Sequence, residues 1–458
     1  MLRNRHQDIE ISEDKPFAND KLEREEHAVN FERIVSLYGE TGCVMALNGL
    51  WGTGKTTFVK MLMQDMKNKG FKPLYFNAWT NDFVSDPLVA LLSEIKGLNA
   101  DERKYTNLLA CGAKIVVDVT AGIANHMMKA VTGVDARPTA MGLANTFKAQ
   151  IDNYAGQKKA FEDFKKALQE YVVDNTGEDK PVVFFIDELD RCNPRFAVQV
   201  LERVKHLFDI PNIVFVLIIN KEQLYHAICG YYGSVNIDAE NYLRRFVDIE
   251  YQLPEADKEK YYALLYQEYE LDDIFESTFR NKDNLRQDKD YFKTLMCYLI
   301  RYSDLDLRSI DKFVAYTRLM LQTFGIQERY HSGILVLLSY IRIADNQLFE
   351  QIRTHQLKPL ELIEKLDVSL AGIIQKINNA NAYPYGDIMS ALAQMAYAYD
   401  PELVNGEFQG MLMHSDLHNI HIKDFNDSIV RASKDYQMSK ETMNVVFEHI
   451  GLMRTVKI

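Results

Sequence analysis

The run Gly49-Leu50-Trp51-Gly52-Thr53-Gly54-Lys55-Thr56 satisfies G-x-x-x-x-G-K-[ST] in full, and it constrains this chain more than any other feature. A short apolar run, Cys43 to Leu47, precedes it, and a helical pattern from Lys55 to Lys69 follows and stops at Gly70. That strand–loop–helix context is the one in which the motif cradles phosphate. Glycines let the main chain wrap an anion without side-chain clash, and the helix N-terminus adds its positive end. The expected nucleotide contacts are Gly49, Trp51, Gly52, Thr53, Gly54, Lys55, Thr56 and Thr57. Lys55 would reach the β- and γ-phosphates, and the Thr56 hydroxyl would hold Mg²⁺. ATP and Mg²⁺ are the expected cofactors.

Further short apolar runs alternate with helical patterns. Pro73–Asn77, Val182–Ile186, Ile213–Ile219 and Val247–Leu253 read as strands, with helices opening at Asp86-Pro87 and Asn193-Pro194. Unbroken β-branched runs of this kind indicate parallel strands covered on both faces. The expected class is therefore α/β, a parallel P-loop NTPase sheet with an all-α C-terminal region. A helical insertion is expected at about 97–180, a core over 1–254, a helical lid over 255–330 and a C-terminal helical domain over 331–458. Helices are expected at Lys258–Tyr269, Tyr291–Tyr302, Arg308–Phe324, Leu335–Thr354, Leu360–Asn378 and Ile388–Tyr399.

The second chemical motif is Val182-Val183-Phe184-Phe185-Ile186-Asp187-Glu188. Asp187 ends an apolar strand, where a P-loop enzyme holds its metal. Glu188 is placed to take a proton from an attacking water. A second carboxylate favours hydrolysis over kinase chemistry, which positions a substrate hydroxyl instead. Asn220 closes the fourth strand and is a candidate to orient the lytic water, with a plain helix N-cap as the other reading. Asn220-Lys221-Glu222-Gln223 lacks the final carboxylate of the guanine-reading N-K-x-D, which argues against GTP specificity. Arg244 and Arg245, ahead of the last strand, are candidates to neutralise charge on a γ-phosphate from within the chain or from a second copy. Surface ion pairing is their alternative. Arg308 is a candidate reporter of nucleotide state from the helical half.

The net charge of −12 is a poor basis for coating nucleic acid, although a local basic groove can hide within such a total. The five cysteines form no C-x-x-C pair, so a reducing, cytoplasmic setting is expected. Met1 to Lys15 holds no apolar core of a secretory signal. Leu108–Val134 is the most membrane-like stretch, but it contains Lys114, Asp118 and Lys129, each costly at a bilayer centre. His414, Asp416, His418 and His421 could share a metal, though Gly410 and Ser415-Asp416 favour a surface loop. Tyr261, Tyr262, Leu265, Tyr266 and Tyr269 form a helical stripe expected to pack on the sheet domain.

The extended run Phe184-Phe185-Ile186-Asp187-Glu188-Leu189-Asp190-Arg191-Cys192-Asn193-Pro194 resembles the Walker B signature D-D-L-D-R-C of the KAP family of P-loop NTPases, with Glu188 in place of the second Asp. Asn77-Ala78-Trp79, Asp20-x-Leu22-x-Arg24, Tyr242-Leu243-Arg244-Arg245-Phe246 and Arg308-Ser309-Ile310-Asp311-Lys312-Phe313 also resemble the family. The resemblance spans about residues 15–330. It implies an ATPase with an additional strand and a helical lid. Many relatives carry membrane helices between the two Walker motifs; the charges here oppose that. The family is associated with bacterial defence against phages and with membrane-complex assembly. The expected role is ATP hydrolysis driving a conformational or oligomeric switch read by a protein partner or effector, acting as a homo-oligomer. A DNA-engaging motor and a scaffold with little turnover stand as alternatives.

Overall fold

The computed structural model describes residues 10–98, 101–115, 140–173, 180–205, 210–275, 286–324, 331–379, 384–404, 412, 415, 417–435 and 444–449. The described residues divide into two compact units, one within Asp8–Glu255 and one within Ala256–Ile458.

The first unit is built on five parallel strands, β1 (Cys43–Asn48), β2 (Lys72–Asn77), β3 (Val182–Asp187), β4 (Ile213–Ile219) and β5 (Ile249–Gln252), in the order β2-β3-β4-β1-β5. β4 thus lies between the phosphate-loop strand and the acidic strand, the additional-strand arrangement. Its helices are α1 (Glu25–Tyr38), α2 (Lys55–Asn68), α3 (Pro87–Ile95), α4 (residues 102–115), α5 (Ala140–Val173), α6 (Pro194–Lys205), α7 (Lys221–Tyr232) and the short α8 (Ala239–Leu243).

Successive strand residues point to opposite faces, and here both faces are apolar. Met45, Leu47, Phe185, Val214, Val216 and Ile218 pack under α1 and α2. Ala46, Phe184, Ile186, Phe215, Leu217 and Ile219 pack with α3, α5, α6 and α7 on the other side. Truncating a core ring such as Phe185, which is fully buried, to alanine costs about 3–5 kcal/mol. β1, β3 and β4 are buried along their whole length, whereas the edge strand β5 alternates between half-buried and exposed. β5 is shorter than the expected Val247–Leu253 because Asp248 is spent at its entrance. The Asp248 carboxylate accepts from the Val44 N–H at 2.8 Å, and its own N–H donates to Val44 O at 2.9 Å.

The second unit is helical: α9 (Lys258–Glu268), α10 (Leu271–Phe275), α11 (Arg286–Tyr302), α12 (Leu307–Thr323), α13 (Ser332–Ala344), α14 (Asn346–Arg353), α15 (Pro359–Ser369), α16 (Ala371–Asn379), α17 (Pro384–Tyr399) and α18 (Ile422–Asp435). The single helix expected over Leu335–Thr354 is two, because Asp345 closes α13 and caps α14 through the Leu348 N–H at 2.9 Å. The one expected over Leu360–Asn378 is also two, jointed at Leu370. The tyrosine stripe of α9 is held by its own unit: Tyr262 donates to Lys293 O, Tyr266 to Asp272 and Tyr269 to Asp311.

Of the membrane-like stretch, residues 108–115 are helical and the remainder lies outside the described residues. Among the described residues no helix is long and apolar enough to cross a membrane. His414 and Asp416 lie outside the described residues. His418 donates its main-chain N–H to Asp367, and the His421 ring stands edge-on to Tyr385. Among the described residues no group of three or more His, Cys, Asp or Glu could hold a metal. The five cysteines are free thiols.

Candidate nucleotide site

The loop leaves β1 at Asn48, and Gly49 N–H is fixed to Ile219 O at 3.1 Å, tying the motif to the end of β4. Gly52 and Gly54 take φ of +75° and +81°, a region open to glycine at no steric cost. That turn delivers the chain into α2, whose N-terminus has no side-chain cap. Its first N–H groups are therefore left for an anion. Thr56 and Thr57 are half-buried in that first turn, while Lys55 is 9% exposed. The Lys55 ammonium donates to Gly49 O (2.5 Å) and Leu50 O (2.9 Å). Burial lowers its pKa, opposed by the field of Asp190 and Asp187. Thr53 Oγ1 closes the turn on Leu50 O at 2.8 Å.

The two motifs meet at Asp187. Its Oδ2 accepts from Thr56 Oγ1 and from the Tyr75 hydroxyl, both at 2.8 Å. Asp187 is 2% exposed, and burial raises its pKa despite these hydrogen bonds. A hydroxyl and a carboxylate in contact are the hard oxygen donors that suit Mg²⁺, which takes one or two protein ligands alongside phosphate oxygens. The residues present therefore fit the metal.

Glu188 follows with φ +59°, a left-handed conformation uncommon for a side-chain-bearing residue. The turn aims its carboxylate back along the strand ends. Asn77 Nδ2 donates to Oε2 at 3.0 Å, and Arg191 Nη1 pairs with Oε1 at 2.6 Å. Arg191 also lies over the Trp51 ring, 5.8 Å from its centroid, and the Trp51 indole N–H donates to Asp190. The phosphate loop is thus fastened to the turn after β3 by a side chain of its own.

Sequence reasoning assigned no role to Tyr75, Asn77, Asp190 or Arg191. The register pairs Asn77 with Asp187 across adjacent strands, so Asn77 is the polar residue that must lie beside the acidic turn. A strand order would have revealed it; a linear motif does not.

The remaining candidates are placed differently. Asn220 is 6% exposed and caps α7, accepting from Gln223 N–H at 3.5 Å. Neighbouring Asn48 Oδ1 accepts from Lys221 N–H at 3.1 Å. Arg244 and Arg245 stand exposed ahead of β5, Arg244 paired with Glu240 at 2.7 Å. Strands are parallel, and Ile249 pairs with Met45, four residues before Gly49. At 3.3 Å per residue the entrance of β5 lies roughly 13 Å below the loop. Arg244 and Arg245 precede that entrance in the chain. Arg308 is exposed in the first turn of α12, in the helical unit.

The model of the KAP family P-loop domain matches residues 25–322. A phage T7 exclusion protein of Escherichia coli (strain K12) is 21% identical over 369 residues, covering 74% of this chain and 46% of that protein. The chain thus spans about half the length of that relative. Among solved structures, the Aeropyrum pernix ORC2 protein in ADPNP–ADP complexes superposes with a TM-score of 0.34 at 14% identity, over 90% of this chain and 85% of that one. The Aeropyrum pernix ORC1 protein in complex with DNA gives 0.33 at 15%, over 90% and 83%. Both are loose overall superpositions.

Proposed function

Since the chain belongs to the KAP family of P-loop NTPases, we propose that it binds ATP with Mg²⁺ and hydrolyses the β–γ phosphoanhydride. The observation that carries this reading is the 2.8 Å contact between Thr56 and Asp187, with a carboxylate on the next residue. The N–H groups of the loop and of the first turn of α2 bind the phosphates, with Lys55 along the β- and γ-oxygens. Thr56 and Asp187 hold Mg²⁺, which when bound neutralises charge on the β- and γ-phosphates. Glu188 takes the proton of the attacking water. Asn77 and Arg191 each take one acceptor site on its two oxygens, which leaves further lone pairs for the water. Asn220, at the end of β4, steadies the water from the adjacent strand while capping α7.

Arg244 and Arg245, exposed ahead of β5, act on the phosphates of a second copy of the chain. Arg308 carries nucleotide state into the helical unit. A partner or effector reads the resulting change. The match to a protein whose name denotes phage exclusion supports a role in bacterial anti-phage defence.

The test is phosphate release from ATP and from GTP, comparing wild type with Glu188→Gln. Loss of ATP turnover with nucleotide binding retained is expected. Equal turnover in both proteins overturns Glu188 as base. In a host challenged with phage, Lys55→Ala is expected to restore plaque formation.

A further inference from the structure

Arg24 is a buried cation that the hydrolytic reading leaves unused. It lies at the start of α1 and is 3% exposed. Its main chain is anchored by Asp20, whose carboxylate accepts from the Leu22 N–H at 3.2 Å and the Arg24 N–H at 2.5 Å. Its guanidinium is spent on two main-chain carbonyls far apart in sequence: Nη1 donates to Thr53 O at 2.8 Å, and Nη2 to Pro254 O at 3.0 Å. Burial lowers its pKa, with Asp20 opposing. A desolvated charge is costly.

The two carbonyls are not arbitrary. Thr53 sits between Gly52 and Gly54, both at positive φ, at the turn of the phosphate loop. Pro254 follows the last residue fastened to β1, Leu253, whose N–H donates to Asn48 O at 2.9 Å. It has no N–H of its own, so its carbonyl is the one main-chain polar group it offers. The compact sheet unit ends one residue later, at Glu255.

We propose that Arg24 is a positioning residue that couples the phosphate loop to the segment by which the chain leaves the sheet unit. When phosphate seats in the loop, the Thr53 carbonyl turns. The planar guanidinium, holding both carbonyls in one rigid fork, then shifts Pro254. The state of the nucleotide thereby reaches the start of the helical half through the main chain. This rests on the nucleotide-binding reading above and adds the route by which that site is felt elsewhere.

The experiment is hydrogen exchange of the full chain with and without Mg²⁺ and a non-hydrolysable ATP analogue, in wild type and Arg24→Met. Peptides covering residues 49–58 report the loop, and those covering 249–262 report the exit. In wild type, nucleotide is expected to slow exchange in both. In Arg24→Met, the loop response and the analogue's Kd are expected to stay within about threefold, while the exit response falls roughly fourfold or more. Arg24→Lys keeps the charge without the fork, and is expected to lose the exit response too; it stands in if the methionine variant does not fold. An exit response retained in either folded variant overturns the proposal, as does a wild-type loop that responds while the exit does not. Loss of analogue binding in the variants also overturns it, by making Arg24 part of the binding site. If neither peptide responds in wild type, the nucleotide-binding reading itself fails and the coupling falls with it.

Discussion

In the sheet unit, Lys55, Asp187 and Asn220 are buried at 9%, 2% and 6% exposure; the last two sit where a strand ends, and Lys55 opens α2. In the helical unit, Asp367 is equally buried at 2%, yet its surroundings differ. Its carboxylate accepts from the main-chain N–H groups of His418, Asn419 and Ile420 and from the Asn419 side chain. Thr317 and Ser339 return their hydroxyls to carbonyls one turn back. Those groups are consumed by structure. The groups of the sheet unit instead lie just past the same ends of three neighbouring parallel strands, with positive φ at Gly52, Gly54 and Glu188. A buried polar group is costly unless satisfied, so convergence with strain marks a place selected for chemistry. Satisfaction in isolation marks a place selected for packing.

This contrast can be broken by experiment. The largest effect is expected from Glu188→Gln, which should lower ATP turnover by about 10²–10⁴-fold with little change in thermal stability; steady-state phosphate release and a melting curve check both halves. Asp367→Ala should do the reverse. Stranding several donors is worth about 3 kcal/mol, read in urea unfolding, while ATP affinity holds. A collapse of nucleotide binding in that variant would erase the distinction. Arg191→Met releases one oxygen of Glu188 and should raise basal turnover several-fold; a fall to the level of Glu188→Gln would show that Arg191 serves the reaction instead of restraining it.

The smallest effect is the pH dependence of Asp187. Burial raises its pKa, so the stability of its protonated form is fully present below the ordinary carboxylate range, near pH 3.9, and is lost as pH rises through the higher folded value. In chelator, Asp187→Asn should therefore melt above wild type by a margin that widens from about pH 4 towards neutrality. Mg²⁺ should narrow it. A margin independent of pH would place the ionisation elsewhere.

Much of this was legible in the chain itself. Ile213–Ile219 is a strand with the bounds its apolar run implies, because a central strand covered on both faces tolerates nothing polar. Gly49 to Thr56 announce themselves because their chemistry is contiguous. The additional strand's place beside β1 came from resemblance, since periodicity does not order strands. The partners of Glu188 were hidden because register, which sets Asn77 opposite Asp187, is a property of the folded sheet. The helix breaks at Asp345 and Leu370 were missed because apolar periodicity runs through them.

The chain contains two tryptophans. Trp51 rides in the phosphate loop at 40% exposure, hydrogen-bonded to Asp190 beside Arg191, and Trp79 stands at 51% exposure two residues beyond Asn77. Its entire indole emission therefore originates at the rim of one site. Light absorbed at the red edge of the ultraviolet reads that rim alone, without label or mutation, and the helical half stays dark.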